Sequence, residues 1–251
     1  MTKVHYTVKN EIAWLTLNRP QQRNAVDFDV IALLKHHLIK AKEDDSVKML
    51  LITGSGQDAF CAGGDVKAFQ NLQTAHEAYD MLSRMGEVLR SLFFFPKPTV
   101  ALLNGTAVGG GCELAAACDF RVATADAKIG FIQGNLGITT GWGGATYLFE
   151  RITKIEALDL LLSAQKITAV QAHQKGFIQY VIKSASVNEE VSRYLQRYLA
   201  LPKEVLMTYK RNYIDSLDQQ AINSRVEQEI RRCATLWESD VHHQAVANFL
   251  T

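Results

Sequence analysis

Long apolar runs are missing from this sequence. The most apolar patch, Leu92 to Phe95, is stopped by Pro96, Lys97 and Pro98, far short of the roughly 18–20 residues that cross a bilayer. No membrane partner is expected. Met1 to Asn10 alternates polar and apolar residues without the apolar core of a signal peptide. Cysteine is scarce: the four thiols Cys61, Cys112, Cys118 and Cys233 form no CxxC pair. That argues against a disulfide framework and for reduced thiols in a cytoplasmic protein. Charge of one sign is also lacking, since 27 Lys and Arg oppose 26 Asp and Glu, scattered along the chain. There is no basic footprint for nucleic acid, and the partner expected is a small molecule or a protein. The 4 prolines build no linker, and no low-complexity segment or repeated residue pattern appears. At 251 residues, 47% hydrophobic and 21% charged, the chain suits one core and excludes disorder.

What is present is an alternation of strand and helix patterns. Val4–Lys9 and Ile12–Leu17 read as a hairpin turned at Asn10-Glu11. Asp27 reads as the N-cap of a helix to about Glu43, with Val30, Ile31, Leu33, Leu34 and Leu38 inward. Val47–Thr53 reads as a buried strand, followed by a loop of small residues from Gly54 to Gly64. The clearest helix runs from about Thr74 to Phe94, with Ala78, Met81, Leu82, Met85, Val88, Leu89 and Leu92 on one stripe. A strand at Thr99–Leu103, a helical pattern at Cys112–Ala117 and a strand at Phe120–Ala123 follow. From Trp142 onward the pattern is mostly helical, with one strand near Phe177–Ile182. This order predicts an α/β fold with a helical tail, divided as a core over 1–187 and a helical extension over 188–251 within one structural unit.

Several chemistries lose support on their own spacing rules. Gly54-Ser55-Gly56 with Ala59 follows a strand like a dinucleotide fingerprint, but the adjacent Gly63 and Gly64 work against the helix that must hold the pyrophosphate. His76-Glu77 lacks the second histidine of a zinc-protease helix, and no Ser stands in a Gly-x-Ser-x-Gly elbow. No metal ligand set is assigned. His36-His37 and His242-His243 read as exposed polar helix faces.

Two glycine-rich spots carry the functional argument. One is Phe60 to Lys67, after a strand. The other is Asn104 to Leu114, where a helix starts at Gly109-Gly110-Gly111. The first N–H groups of a helix have no internal partner, and with the helix dipole they can stabilise an oxygen that becomes negative. Glu113 follows Gly110 in apolar surroundings, which would raise its pKa toward a range useful for acid–base work.

Both loops, in this order and separation, resemble the enoyl-CoA hydratase/isomerase (crotonase) superfamily. The likeness extends to Leu15 to Pro20 with Asn24-Ala25, to Pro98 to Asp119, to Leu136-Gly137 with Gly143-Gly144, and to Ala172 to Phe177. It implies a spiral of ββα units with a C-terminal helical trimerisation region, assembled as homotrimers or homohexamers. It implies an acyl-CoA substrate whose thioester oxygen sits between the Gly64 and Gly110 N–H groups, and no cofactor, the CoA thioester being the substrate. Arg23, Ala62, Asp65, Val66 and Lys67 fall where such proteins line the CoA path, and Lys210 where a basic group could reach CoA phosphates.

One position departs from that family's hydratases, which use two glutamates. The first corresponds to Glu113; the second position holds Gln133, and an amide cannot shuttle a proton. Three readings follow: an acyl-CoA enzyme of hydratase/isomerase type working through Glu113, a decarboxylase of a substituted malonyl-CoA such as ethylmalonyl- or methylmalonyl-CoA, and a catalytically weak acyl-CoA binder. The run Cys118 to Arg121, Lys128-Ile129, Leu136 to Ile138 and Trp142 to Gly144 is similar to the ethylmalonyl-CoA decarboxylase branch. There Gln133 would face a substrate carboxylate, and Trp142 would wall the acyl pocket or pack in the core.

Overall fold

The computed structural model describes residues 2–183 and 186–250. Its opening hairpin follows from the alternation: β1 (Val4–Lys9) pairs antiparallel with β2 (Ile12–Leu17), Val4 opposite Leu17 and Lys9 opposite Ile12. The turn residues Asn10 and Glu11 both take positive φ, 51° and 61°, as a tight two-residue hairpin loop demands. Helix α1 (Phe28–Glu43) starts at Asp27, whose carboxylate accepts from the Val30 N–H at 3.0 Å. Val30, Ile31, Leu34 and Leu38 are buried and Leu33 half-buried.

Strand β3 (Met49–Gly54) begins later than expected, and β4 (Ala59–Cys61) lies inside the stretch expected to be all loop. Helices α2 (Val66–Phe69) and α3 (Ala75–Phe93) follow. Thr74 and Glu77 close a capping box at the start of α3, and its apolar stripe is buried throughout. Next come β5 (Thr99–Leu103), β6 (Thr106–Val108) and α4 (Gly110–Ala117). After β7 (Phe120–Thr124) and β8 (Lys128–Gly130) the chain makes a 3-10 turn at Gln133–Leu136. The remainder is α5 (Gly144–Arg151), α6 (Lys154–Ser163), β9 (Ile167–Thr168), α7 (Ala169–Gln174), β10 (Tyr180–Ile182), α8 (Val187–Leu199), α9 (Lys203–Asp215), α10 (Gln219–Trp237) and α11 (Asp240–Leu250). The strand expected from Phe177 is shorter, because Phe177 and Ile178 are core residues just after the Gly176 turn.

The strands divide between a six-stranded sheet, β1-β2-β3-β5-β7-β10, and a four-stranded one, β4-β6-β8-β9. In β3/β4, β5/β6 and β7/β8 the first strand joins the large sheet and the second the small one, parallel to its predecessor. This is the crotonase-type ββα spiral. Strand β3 is buried on both faces, hence its unbroken apolar run. Leu50 and Ile52 face the main core, while Met49 and Leu51 face a second core closed by Val191, Tyr194 and Leu195 of α8. Among the C-terminal helices, α10 packs along α3 and α11 rests on the 3-10 turn. Among the described residues no helix is long and apolar enough to cross a membrane.

Candidate active site

The two glycine-rich loops meet because β4 and β6 are parallel neighbours whose ends deliver Gly63-Gly64 and Gly109-Gly110 side by side. Gly63 is locked by its carbonyl accepting from Val26 N at 2.8 Å, and Asp65 N donates back to Val26 O at 2.9 Å. Gly109 sits at φ 55°, a conformation that favours glycine. It places Gly110 at the first position of α4, ahead of the Cys112 and Glu113 amides that bond to the Gly109 carbonyl at 2.9 and 3.2 Å. Among the described residues, the Gly64 and Gly110 N–H groups take no acceptor. The indole of Trp142 lies along both glycines: a methyl on Gly110 would come within 2.1 Å of its Cζ3, and one on Gly64 within 3.6 Å of its Cζ2.

These residues border a cavity of about 500 Å³. Arg23, Ala62, Gly64, Val66, Gly110 and Trp142 line it, together with Glu113 and Gln133. Trp142 is also 4% exposed within the main core, so it packs and walls the pocket at once. Arg23, exposed and at φ 49°, anchors its loop by accepting from Ala62 N at 3.0 Å. The lining is mostly apolar, and among the described residues Glu113 is its one carboxylate.

Glu113 is 2% exposed and held by donors on every side. Trp142 N and Gly144 N reach Oε2 at 2.8 and 2.9 Å, and the Gln133 amide nitrogen reaches Oε1 at 2.9 Å. Gly144 must be glycine here, since a Cβ would lie 2.2 Å from Glu113 Cγ. Burial, and then the charge of Glu229, push its pKa up to about 7, against the pull of these hydrogen bonds. A carboxyl so placed can give or take a proton near neutral pH. Gln133 keeps its own carbonyl oxygen buried without a partner among the described residues.

Three expected substrate-contact residues stand outside the lining. Asp65 caps α2, accepting from Ala68 N at 3.2 Å, and pairs with Arg19 at 2.9 Å. Lys67 is exposed and does not line the cavity. Lys210 is not a free cation for CoA phosphates: its side chain is 4% exposed and pairs with Asp119, beside Arg151. The histidines also differ from the expectation of exposed faces. His37 is half-buried and stacked on Tyr6, and His242 is 3% exposed and lines the cavity.

Sequence reasoning missed Glu229 and α11. Glu229, on α10, has a carboxylate enclosed by Thr140, Ala145 and Thr146. On α11, His242, Val246, Phe249 and Leu250 face the cavity; their three- and four-residue spacing was the available signal.

A protein-family model described as Enoyl-CoA hydratase/isomerase matches residues 7–250. The chain is 37% identical over 192 residues to crotonyl-CoA hydratase of Syntrophomonas wolfei, covering 76% of this chain and 74% of that protein. It is 30% identical over 239 residues to ethylmalonyl-CoA decarboxylase of Bos taurus, covering 94% and 78%. The crystal structure of enoyl-CoA hydratase from Bacillus halodurans matches in fold, with a TM-score of 0.89 at 22% identity, over 98% of this chain and 99% of that one.

Proposed function

The chain belongs to the enoyl-CoA hydratase/isomerase family, and from that premise we propose that it stabilises the enolate of an acyl-CoA thioester between the Gly64 and Gly110 amides, with Glu113 as its proton carrier. The observation that carries this reading is that, among the described residues, two amides without an acceptor stand beside the one carboxylate of the pocket. As charge moves onto the thioester oxygen, both N–H groups and the start of α4 stabilise it more than they do the neutral carbonyl. One such donor is worth about 3–4 kcal/mol in comparable sites. This chemistry calls for no cofactor beyond the CoA thioester itself. Four buried, unpaired thiols suit a reducing cytoplasm. A homotrimer or homohexamer is part of the same proposal.

Gln133 favours a second reading, decarboxylation of a substituted malonyl-CoA. There the bond from Cα to the carboxylate breaks, its electron pair becomes the enolate, and CO₂ leaves. No base has to remove a carbon-bound proton, and Glu113 then delivers one proton to Cα. Paired-carboxylate hydration lacks its second acid here, whereas this route needs only one.

A side-by-side assay tests both readings, following hydration of crotonyl-CoA and CO₂ release from methylmalonyl- and ethylmalonyl-CoA. Hydration supports the first reading with Glu113 sufficient on its own. CO₂ release without hydration selects the second. Binding of these esters with neither activity removes the enzymatic reading and leaves an acyl-CoA binder.

A further inference from the structure

Two carboxylates divide the start of one helix. At α5, Gly144 N donates to Glu113 at 2.9 Å, while the next two amides, Ala145 N and Thr146 N, donate to Glu229 at 3.0 and 2.9 Å. Glu229 also receives the hydroxyls of Thr140 at 2.6 Å and Thr146 at 2.7 Å. It is absent from the cavity lining, yet it sits behind Glu113, the carboxylate that lines it.

Burial pushes the Glu229 carboxyl above the ordinary carboxylate range, but each of these four contacts donates to it and pulls the other way, which is the surrounding an ionised carboxylate needs when removed from water. Two ionised carboxylates at one helix start repel, so the proton goes to the member with the weaker set. Glu113 is that member: Trp142 N and Gly144 N serve its Oε2 at 2.8 and 2.9 Å, but its Oε1 has only the Gln133 amide at 2.9 Å and a long contact from Gly141 N at 3.4 Å, with none of the short hydroxyl bonds that Glu229 receives among the described residues. We propose that Glu229 is a positioning residue for Glu113, remaining ionised behind it and keeping the proton on Glu113 for delivery to the enolate. The proposal rests on the enolate reading above.

The other titratable groups around the pair do not replace this role. Tyr147 on α5 is buried and its phenol is pushed well above its ordinary range by burial and by Glu229. Cys233, on the same helix as Glu229, points its thiol at Thr139 O and is likewise held protonated by burial. Arg90 on α3 acts on Tyr147, and Arg225 is paired with Glu150 at 2.5 Å.

The test is a carboxyl ¹³C NMR titration of glutamate-labelled protein, with Glu113→Gln identifying the Glu113 resonance. In the wild type its midpoint is expected near 7. Glu229→Gln removes the charge and should lower that midpoint by roughly one pH unit, and the matching limb of the kcat–pH profile should move with it. Thr146→Val removes one hydroxyl donor, so Glu229 takes a proton more readily; the Glu113 midpoint falls in the same direction by less. A merely structural Glu229 would change stability and leave the midpoint in place. An unmoved midpoint in Glu229→Gln overturns the proposal; should that variant fail to fold, an unmoved midpoint in Thr146→Val does so. The titration needs no turnover, so an enzyme inactive on every CoA ester would sink the enolate reading without blurring this result.

Discussion

At the scale of single residues, the proton proposed for Glu113 bears on stability as well. Its folded pKa of about 7 lies above the ordinary carboxylate value of 4.5. Between those two pH values the folded chain holds a proton that the unfolded chain has lost. Its contribution to stability is therefore complete below about pH 4.5 and declines as pH rises toward 7, by up to about 1.4 kcal/mol per pH unit. Glu113→Gln should remove that slope, and urea unfolding at pH 5, 6, 7 and 8 checks it; parallel wild-type and variant curves would refute the raised pKa. Gly110 makes a different demand. A methyl there meets Trp142 Cζ3 at 2.1 Å, so Gly110→Ala must displace the indole or the amide beside it. Turnover should fall on the order of 100-fold or more, as for loss of one oxyanion donor, with the fold kept by circular dichroism. Of this site, the glycine-rich loops and Glu113 were legible because backbone donors and an acid in an apolar stretch leave a local signature, whereas Gln133 and the pairing of Gly64 with Gly110 came only from the family resemblance. Glu229 was not, since an isolated glutamate on a polar helix looks like solvated surface until tertiary packing brings α10 to the start of α5.

At the scale of elements, legibility followed length. The stripe of α3 and the alternation of β1 and β2 extend over enough residues to show a period. Strands β4, β6 and β8, of three residues each, are shorter than any repeat, although they carry the two loops together. Helix α11 is the instructive miss. Its only buried residue is His242, whose ring lies 4.5 Å from that of Trp237 and whose Nδ1 is 2.7 Å from the Leu136 carbonyl. A carbonyl only accepts, so Nδ1 carries the hydrogen and the contact holds α11 on the turn that begins at Gln133. As the one buried side chain of α11, His242 is the contact whose removal should loosen the helix. His242→Ala should raise amide hydrogen exchange across 240–250 and raise KM about tenfold, as one lost buried hydrogen bond permits. The midpoint of thermal unfolding should move by no more than a few degrees. An unchanged exchange rate would show that α11 is held by other contacts.

At the scale of the whole molecule, the chain leaves one helix with its apolar side in water. On α6, Ile155 is 72% exposed, Leu158 41% and Leu162 76%. They stand three and four residues apart, so they share a face. Val241 and Phe249 of α11 are exposed as well, at 69% and 65%. Both surfaces touch the Gln133–Leu136 turn: Asn135 Nδ2 donates to Ala164 O, just after α6, at 3.0 Å, and Gly137 packs on Val241. A second copy of the chain seated there would cover apolar surface and steady the turn that presents Gln133 to Glu113. That links the proposed homo-oligomer to the active site rather than to solubility alone. Sedimentation of the wild type should give three or six times the 28.0 kDa chain mass. Ile155→Glu with Leu162→Glu puts two charges on the stripe and should yield the single-chain mass, at most modestly less stable because both side chains are already exposed. Turnover should fall with dissociation and recover in no monomeric fraction. A wild type that sediments as one chain removes the assembly from the proposal, and an active monomeric variant separates the assembly from the chemistry.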